Sequence, residues 1–189
     1  MTAPDPPPGD DPPSGARAGW PRQRLKTVAT AGVAVLLAAG ILIVYLAADR
    51  YDQGRFTAEP SACDALAPSA PLLGVEYTPR RNELNNCELT LPPSHPDYVP
   101  APKILVSFSV TDADGQGAPQ VASRLIRQLG QGSPALPEVG DEAYQRSGDV
   151  YLRVSNLMVA VVVYPVATST PQQVRAFAAD LANRLDASA

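Results

Sequence analysis

Histidine and cysteine are both scarce in this sequence of 189 residues, which contains one histidine, His95, and two cysteines, Cys63 and Cys87. A structural zinc site needs more ligands than two cysteines and one distant histidine. A redox pair is typically spaced C-x-x-C, whereas these two cysteines lie far apart in the chain. We therefore expect neither a metal nor any other cofactor.

Basic residues do not dominate the chain, whose formal net charge is −4. The segment before residue 27 carries a small positive excess, so the rest of the chain is the more acidic part. Proteins that bind nucleic acids normally present a clustered basic face to the phosphate backbone. The charge balance therefore argues against a nucleic-acid partner.

Apolar and aromatic side chains are sparse before residue 27. Seven of the 21 prolines lie before residue 22, and Trp20 is the one aromatic residue in this stretch. So few apolar groups cannot offset the entropy that is lost when a backbone is ordered. We predict that residues 1–26 form a disordered, proline-rich tail.

Charged residues are absent from Thr27 to Ala48, a run of 22 residues. At a rise of about 1.5 Å per residue, a helix of this length spans roughly 33 Å, which is enough to cross the hydrocarbon core of a bilayer. A helix also satisfies its backbone groups internally, as lipid requires. The run therefore predicts a transmembrane helix at residues 27–48.

The charges on either side of this run predict its orientation. Four basic residues precede it, at positions 17, 22, 24 and 26, whereas the two arginines that follow are offset by Asp49 and Asp52. Positive flanks stay in the cytoplasm. We therefore expect a single-pass protein of the cell membrane, with a cytoplasmic N-terminus and with residues 49–189 outside.

A cleaved signal peptide is the main alternative for this segment. Its apolar region would be shorter, about 7–15 residues, and small residues would flank the cleavage site. The sequence "LAAD" also resembles a lipoprotein cleavage box, but Asp49 stands where the lipidated cysteine would be. The length of the run and the bulk of Leu46 favour the uncleaved anchor.

An external location places Cys63 and Cys87 in an oxidising compartment. Two cysteines allow one pairing, and in the chain-entropy model a closed loop of about 25 residues stabilises a fold by roughly 3–4 kcal/mol. We predict a structural disulfide that ties a strand to the short helix opening the domain.

The external part divides into a stalk, residues 49–60, and a domain, residues 61–189. Ser61 is a candidate cap for the first helix. Residues 72–78 are a candidate strand, and the alternation of apolar and polar residues predicts strands at 87–91 and 103–110. Two further strands flank a hairpin turn at Ser155 and Asn156, and the second of these, from Leu157 onward, is apolar enough to be buried on both faces.

Two longer helices complete the predicted domain. One covers 118–129, with Val121, Leu125 and Leu129 on its apolar stripe and Ala122 and Ile126 beside it. The other begins after Thr170, with Pro171 at its first position. This order predicts an α+β fold, a mainly antiparallel sheet with helices packed on one face and one transmembrane helix before it.

Catalytic residue types are few and are not grouped in the sequence. His95 lies in a proline-rich loop without an evident nucleophile or orienting carboxylate. Adjacent Asp141 and Glu142 should point to opposite faces of an extended chain, which does not suit paired acid–base chemistry. Residues 112–117, "DADGQG", lack the spacing of a calcium loop, and Arg80 and Arg81 are interpreted as solvated side chains.

Several short motifs resemble a group of actinobacterial cell-envelope domains of unknown function. The motifs are "SACDALAP", "NNCELTL", "LPEVGDEAY" and "FAADLANRL". The resembling proteins are small two-cysteine α+β domains that are carried by lipoproteins or single-pass membrane proteins. The resemblance implies an extracytoplasmic location and supplies no catalytic residue.

The sequence leaves several function classes open. We expect a non-enzymatic, membrane-anchored binding or scaffolding module, whose partner is an envelope protein, a lipid or a wall component. A sensory or regulatory subunit that acts through the cytoplasmic tail is the alternative. The remaining alternative is an enzyme that uses Asp141, Glu142 or His95.

Overall fold

The computed structural model of the chain describes residues 39–45, 52–114, 116–165 and 167–189. The chain divides into two compact units, Met1–Val44 and Tyr45–Ala189. The predicted tail and most of the predicted transmembrane helix lie outside the described residues, although residues 39–45 are helical. None of the helices that the structure describes is both long and apolar enough to span a bilayer.

The second unit is an α+β domain built on one six-stranded sheet in which every neighbouring pair is antiparallel, as the sequence predicts. The strands are β1 (Thr78–Arg81), β2 (Cys87–Thr90), β3 (Ile104–Val110), β4 (Glu142–Arg146), β5 (Asp149–Val154) and β6 (Leu157–Val163). Their order across the sheet is β1-β2-β3-β6-β5-β4. The helices are α1 (Ala62–Leu66), α2 (Ala118–Leu129) and α3 (Pro171–Ser188), with a 3₁₀ turn at Ala70–Leu73.

The main core lies between the sheet and α3. The apolar stripe predicted for this helix is buried in full, and its members are Val174, Phe177, Ala178, Leu181 and Leu185. Thr170 caps the helix in a reciprocal pair with Gln173, in which each side chain bonds the backbone of the other residue. Pro171 fits the first turn because its missing N–H has no partner there.

The prediction that helices pack on one face of the sheet is wrong. Gln145 of β4 accepts a hydrogen bond from Arg175 of α3 at 3.0 Å, whereas Glu142 bonds Ser123 and Arg127 of α2. Side chains an odd number of positions apart in a strand point to opposite faces. Helices α2 and α3 therefore lie on opposite faces of the sheet.

Helix α2 covers only part of its face, which corrects the prediction for β6. Alternate residues of β6 from Leu157 to Val161 are buried, whereas Met158, Ala160 and Val162 between them are only half-buried. The strand is central, as predicted, but it is not buried on both faces, because α2 covers its second face only in part.

The predicted stalk is also corrected, because residues 52–60 belong to the domain. Phe56 is 9% exposed, and its backbone N–H and C=O both bond the side chain of Asn156, at 3.0 and 2.9 Å. Arg55 donates its backbone N–H to Ser155 and forms an ion pair with Asp186. One buried aromatic ring and these bonds hold the segment against the predicted hairpin turn.

Candidate functional site

A disulfide between Cys63 and Cys87 joins α1 to β2, as predicted. The two Cα atoms are 5.0 Å apart, within the range that a disulfide spans. Cys87 is fully buried on the α3 side of the sheet. The bond fixes α1 next to the edge of the sheet at which β1 lies.

The chain between α1 and β1 is not the strand that was predicted at 72–78. Its apolar residues instead form the 3₁₀ turn, which ends at Gly74 with φ 76°. Any Cβ at this position would lie 1.8 Å from the side-chain nitrogen of Gln173, so the glycine allows both the left-handed backbone and the close approach to α3. This turn was not predicted from the sequence.

Buried and half-buried hydrogen bonds attach this segment to the domain. Tyr77 shares a hydrogen bond with Ser169 at 2.8 Å, and Ser169 in turn donates to the carbonyl of Leu73 at 2.9 Å. Ser69 donates to Asp180 of α3 at 2.8 Å. Arg184, and then Ser69, lower the pKa of Asp180 by hydrogen bonding to its charged form.

A cleft of about 490 Å³ opens between this segment and β1. Its walls are mostly apolar and contain one carboxylate. The residues that line it are Leu66, Ala67, Ala70, Pro71, Gly74, Val75, Glu76, Tyr77 and Pro79. Its volume lies within the range of about 300–1,000 Å³ that small-ligand sites occupy. The disulfide and the bonds to α3 hold the walls in place before any ligand arrives.

Strand β1 forms one rim of this cleft and is exposed at all four of its residues. No strand that the structure describes lies beyond it in the sheet.

Arg81 donates to Ser61 and lies 3.5 Å from Asp64. Arg80 is exposed and forms no ion pair with a described residue, which agrees with the prediction of a solvated side chain. Ser61 occupies the predicted cap position, but its side chain makes no capping bond.

The candidate catalytic residues are not brought together. His95 lies between β2 and β3, where its Nδ1 accepts the backbone N–H of Asp97 at 3.1 Å. Asp141 and Glu142 lie at the start of β4, which is the strand at the opposite edge of the sheet. Four strand spacings separate β2 from β4, which is roughly 19 Å. The histidine therefore cannot assist these carboxylates.

Asp141 and Glu142 do not point away from each other as predicted, because both contact Arg153. Its guanidinium lies 3.0 Å from Asp141 and 3.8 Å from Glu142. Asp141 also accepts the backbone N–H of Ser155 at 2.6 Å. The alternation rule fails here because Asp141 precedes β4.

Glu142 is the centre of a polar network between α2 and the sheet. It accepts hydrogen bonds from Ser123 at 2.5 Å, Arg127 at 2.7 Å and Tyr144 at 2.9 Å. Burial alone would raise the pKa of Glu142, but these three bonds outweigh it and hold the pKa below its ordinary value. The hydrogen bond to Glu142, and then burial, raise the pKa of Tyr144. Glu142 is therefore best explained as a structural link, while the buried Nε of Arg153 beside it makes no hydrogen bond to a described residue.

Two other cavities are less suitable for a small ligand. One of about 640 Å³ follows the polar side of α2, where its lining consists of glutamines, arginines and a serine. Another of about 280 Å³ includes Asp141 and Asp186, which are already paired with arginines. Among the residues described, no group of three or more His, Cys, Asp or Glu side chains could hold a metal ion.

Sequence reasoning missed the cleft because residues from three separate elements form it. Pro79 was the one residue in the sequence that pointed to this part of the fold, since a proline inside a strand indicates that the strand lies at a sheet edge. Comparisons of the chain with protein-family models, with curated proteins and with solved structures found no match. The resemblance to actinobacterial envelope domains therefore stays a prediction.

Proposed function

We propose that this chain is a single-pass membrane protein whose extracytoplasmic domain binds a ligand in the apolar cleft beside β1 and catalyses no reaction. The N-terminus is cytoplasmic and the helix at 27–48 is the anchor. The uncharged run and its basic flank support this topology. A bonded cysteine pair fits an oxidising compartment outside the membrane.

The observation that carries the proposal is the cleft itself. It is apolar and of ligand size, and its walls are attached to both α1 and α3. Binding to a preformed site avoids the cost of ordering its walls. The ligand is an envelope component, either a protein, a lipid or a wall constituent.

A binding role is favoured over catalysis by what the polar side chains do. Asp141 and Glu142 are engaged by Arg153 and by α2, and His95 is distant from both in the sheet. A catalytic acid or base must reach the substrate with its proton-transferring atom. Turnover of an envelope ester, peptide or glycan that is abolished by replacing one of these three residues would contradict this part of the proposal.

Photolabelling of the full-length chain in membrane vesicles tests the cleft. A small alkyl diazirine is the probe, and the modified residues are mapped by mass spectrometry. We expect labelling to concentrate on residues 66–79 and to disappear in Ala67→Trp, since Ala67 is exposed and an indole there would fill the cleft.

Gln131→Trp, an exposed substitution at the end of α2, is the matched control and should leave the labelling of the cleft unchanged. Labelling that is spread evenly over exposed apolar residues, or that Ala67→Trp does not alter, would contradict the proposal.

A further inference from the structure

We propose that the ligand of this cleft is an extended peptide segment that pairs with β1 as an additional strand and inserts one apolar side chain into the cleft. The inference rests on the proposed binding function and names the class of its ligand. It requires a free sheet edge, an alignment that directs a side chain into the cleft, and a charge that selects the neighbouring residue.

Pro79 determines which backbone groups of β1 face outward. Residues of an antiparallel pair alternate between positions that exchange hydrogen bonds with the partner and positions that do not. Pro79 is paired with Leu89 and has no N–H, so it must occupy a position that does not exchange hydrogen bonds with β2. The carbonyl of Pro79 and the N–H and carbonyl of Arg81 therefore point away from β2, toward an added strand.

The same alternation fixes the direction of the ligand's side chains. Pro79 shares its face of the sheet with its partner Leu89, which is buried on the α3 side, and Pro79 also lines the cleft. A ligand residue opposite Pro79 has its side chain on that same face. An apolar side chain at this position therefore enters the cleft.

Arg80 selects the neighbouring residue of the ligand. It points to the other face of the sheet and is exposed; the residue opposite it in β2, Glu88, accepts a hydrogen bond from Asn82 at 3.2 Å, and Arg80 forms no ion pair with a described residue. Opposite charges on directly facing residues of neighbouring strands attract each other. The preferred ligand therefore carries an acidic residue next to the apolar one. In strand addition, backbone hydrogen bonds give affinity and the side-chain contacts give specificity.

A lipid chain would use the apolar walls of the cleft but neither the outward backbone groups of β1 nor Arg80. This difference makes the two kinds of ligand distinguishable. Strand addition is the better explanation because the cleft and the unpaired edge share Pro79 and are continuous.

Fluorescence anisotropy with the full-length chain in lipid nanodiscs tests the inference, and empty nanodiscs give the background. The probe is a short labelled peptide designed to pair antiparallel with β1, with one glutamate followed by one leucine in an otherwise polar sequence, so that the glutamate faces Arg80 when the leucine faces Pro79. One derivative is N-methylated at the leucine, whose N–H would bond the carbonyl of Pro79. A second is N-methylated at the glutamate, whose N–H would point away from β1.

We expect the unmodified peptide to bind and the derivative methylated at leucine to bind about tenfold more weakly, since it loses a backbone hydrogen bond and clashes with the edge. The derivative methylated at glutamate should bind like the parent. Arg80→Glu should weaken binding about fivefold, and replacing the peptide's glutamate by lysine should restore it. Arg124→Glu, an exposed charge reversal on α2, is the control and should have no effect.

Equal binding of the two methylated derivatives would overturn strand addition while leaving the cleft as a binding site. Diazirine labelling of the cleft without any peptide binding would likewise overturn this inference and favour a lipid or another small ligand. Failure of both the peptide and the diazirine to reach the cleft would overturn the proposed function together with the inference.

Discussion

Asn156 makes more long-range bonds than its place in a turn would suggest. Its side chain bonds both backbone groups of Phe56 and donates to the carbonyl of Thr111 at 3.2 Å. Its own carbonyl accepts from Thr111, and the residue is almost completely buried. This one amide therefore connects the segment at 52–56, the end of β3 and the β5–β6 turn.

Replacing Asn156 by alanine should destabilise the domain by about 2–4 kcal/mol, because it leaves several buried backbone groups without partners. Urea unfolding of the isolated unit Tyr45–Ala189 measures the effect. Asn183→Ala, an exposed change within α3, is the control and should alter the free energy of unfolding by less than about 0.5 kcal/mol. A similar small effect at Asn156 would contradict the role assigned to it.

The lowered pKa of Glu142 should make the stability of the domain depend on pH. Its pKa in the folded state lies below its ordinary value of 4.5, and its side chain is 14% exposed. A carboxylate whose folded pKa is lowered stabilises the fold above its unfolded pKa, and this contribution is lost as the pH falls through the folded value. The contribution of Glu142 is therefore complete at neutral pH and declines below about pH 4.5.

Glu142→Gln should cost about 1–3 kcal/mol at pH 7, where the charge-assisted bonds to Ser123 and Arg127 are intact. The difference between this variant and the parent should shrink steadily as the pH is lowered toward 3. Denaturant unfolding across this pH range provides the measurement, with the exposed Glu83→Gln as control. A cost that is independent of pH would show that the charge of Glu142 is not what stabilises the network.

At the scale of elements, α2 shows where sequence periodicity is insufficient. Its sequence contains two overlapping apolar stripes, and the predicted one leaves Leu125 36% exposed. The helix instead buries the small residues Ala118 and Ala122 together with Ile126, and the last two are the residues predicted beside that stripe. Small residues let a helix approach a sheet closely, and only the shape of that sheet decides between the stripes.

Ile126→Ala should therefore cost about 2–4 kcal/mol, since it opens a cavity at a side chain that is 1% exposed. Leu125→Ala should cost less than about 1 kcal/mol, because its side chain is already partly solvated. Thermal unfolding of the two variants makes the comparison directly. The reverse order of costs would mean that the predicted stripe is the buried one.

Other parts of the fold could be predicted from the sequence to different degrees. The apolar stripe of α3, the strand β3 and the disulfide followed from periodicity, capping and compartment, and the structure has all of them. Phe56 could not be identified as a core residue, because a single aromatic residue in a polar stretch has no period. The cleft could not be predicted either, since it depends on a 3₁₀ turn that was not recognised in the sequence.

At the scale of the whole molecule, a proposed anchor precedes a domain that has its own core. The domain's described part begins at Asp52, whose carbonyl accepts the N–H of Ala118, so the ordered fold starts earlier than the sequence predicts. The binding function and the peptide inference are proposed for a domain that lies outside the cytoplasm, and the disulfide fits that location. The topology is therefore the claim on which the others depend.

Protease treatment of intact spheroplasts that carry the chain with a C-terminal epitope tests this claim most directly. We expect the protease to remove the epitope without lysis and to leave a membrane-bound fragment that contains residues 27–48. An epitope that survives until the membrane is permeabilised would place the domain in the cytoplasm and would contradict the account.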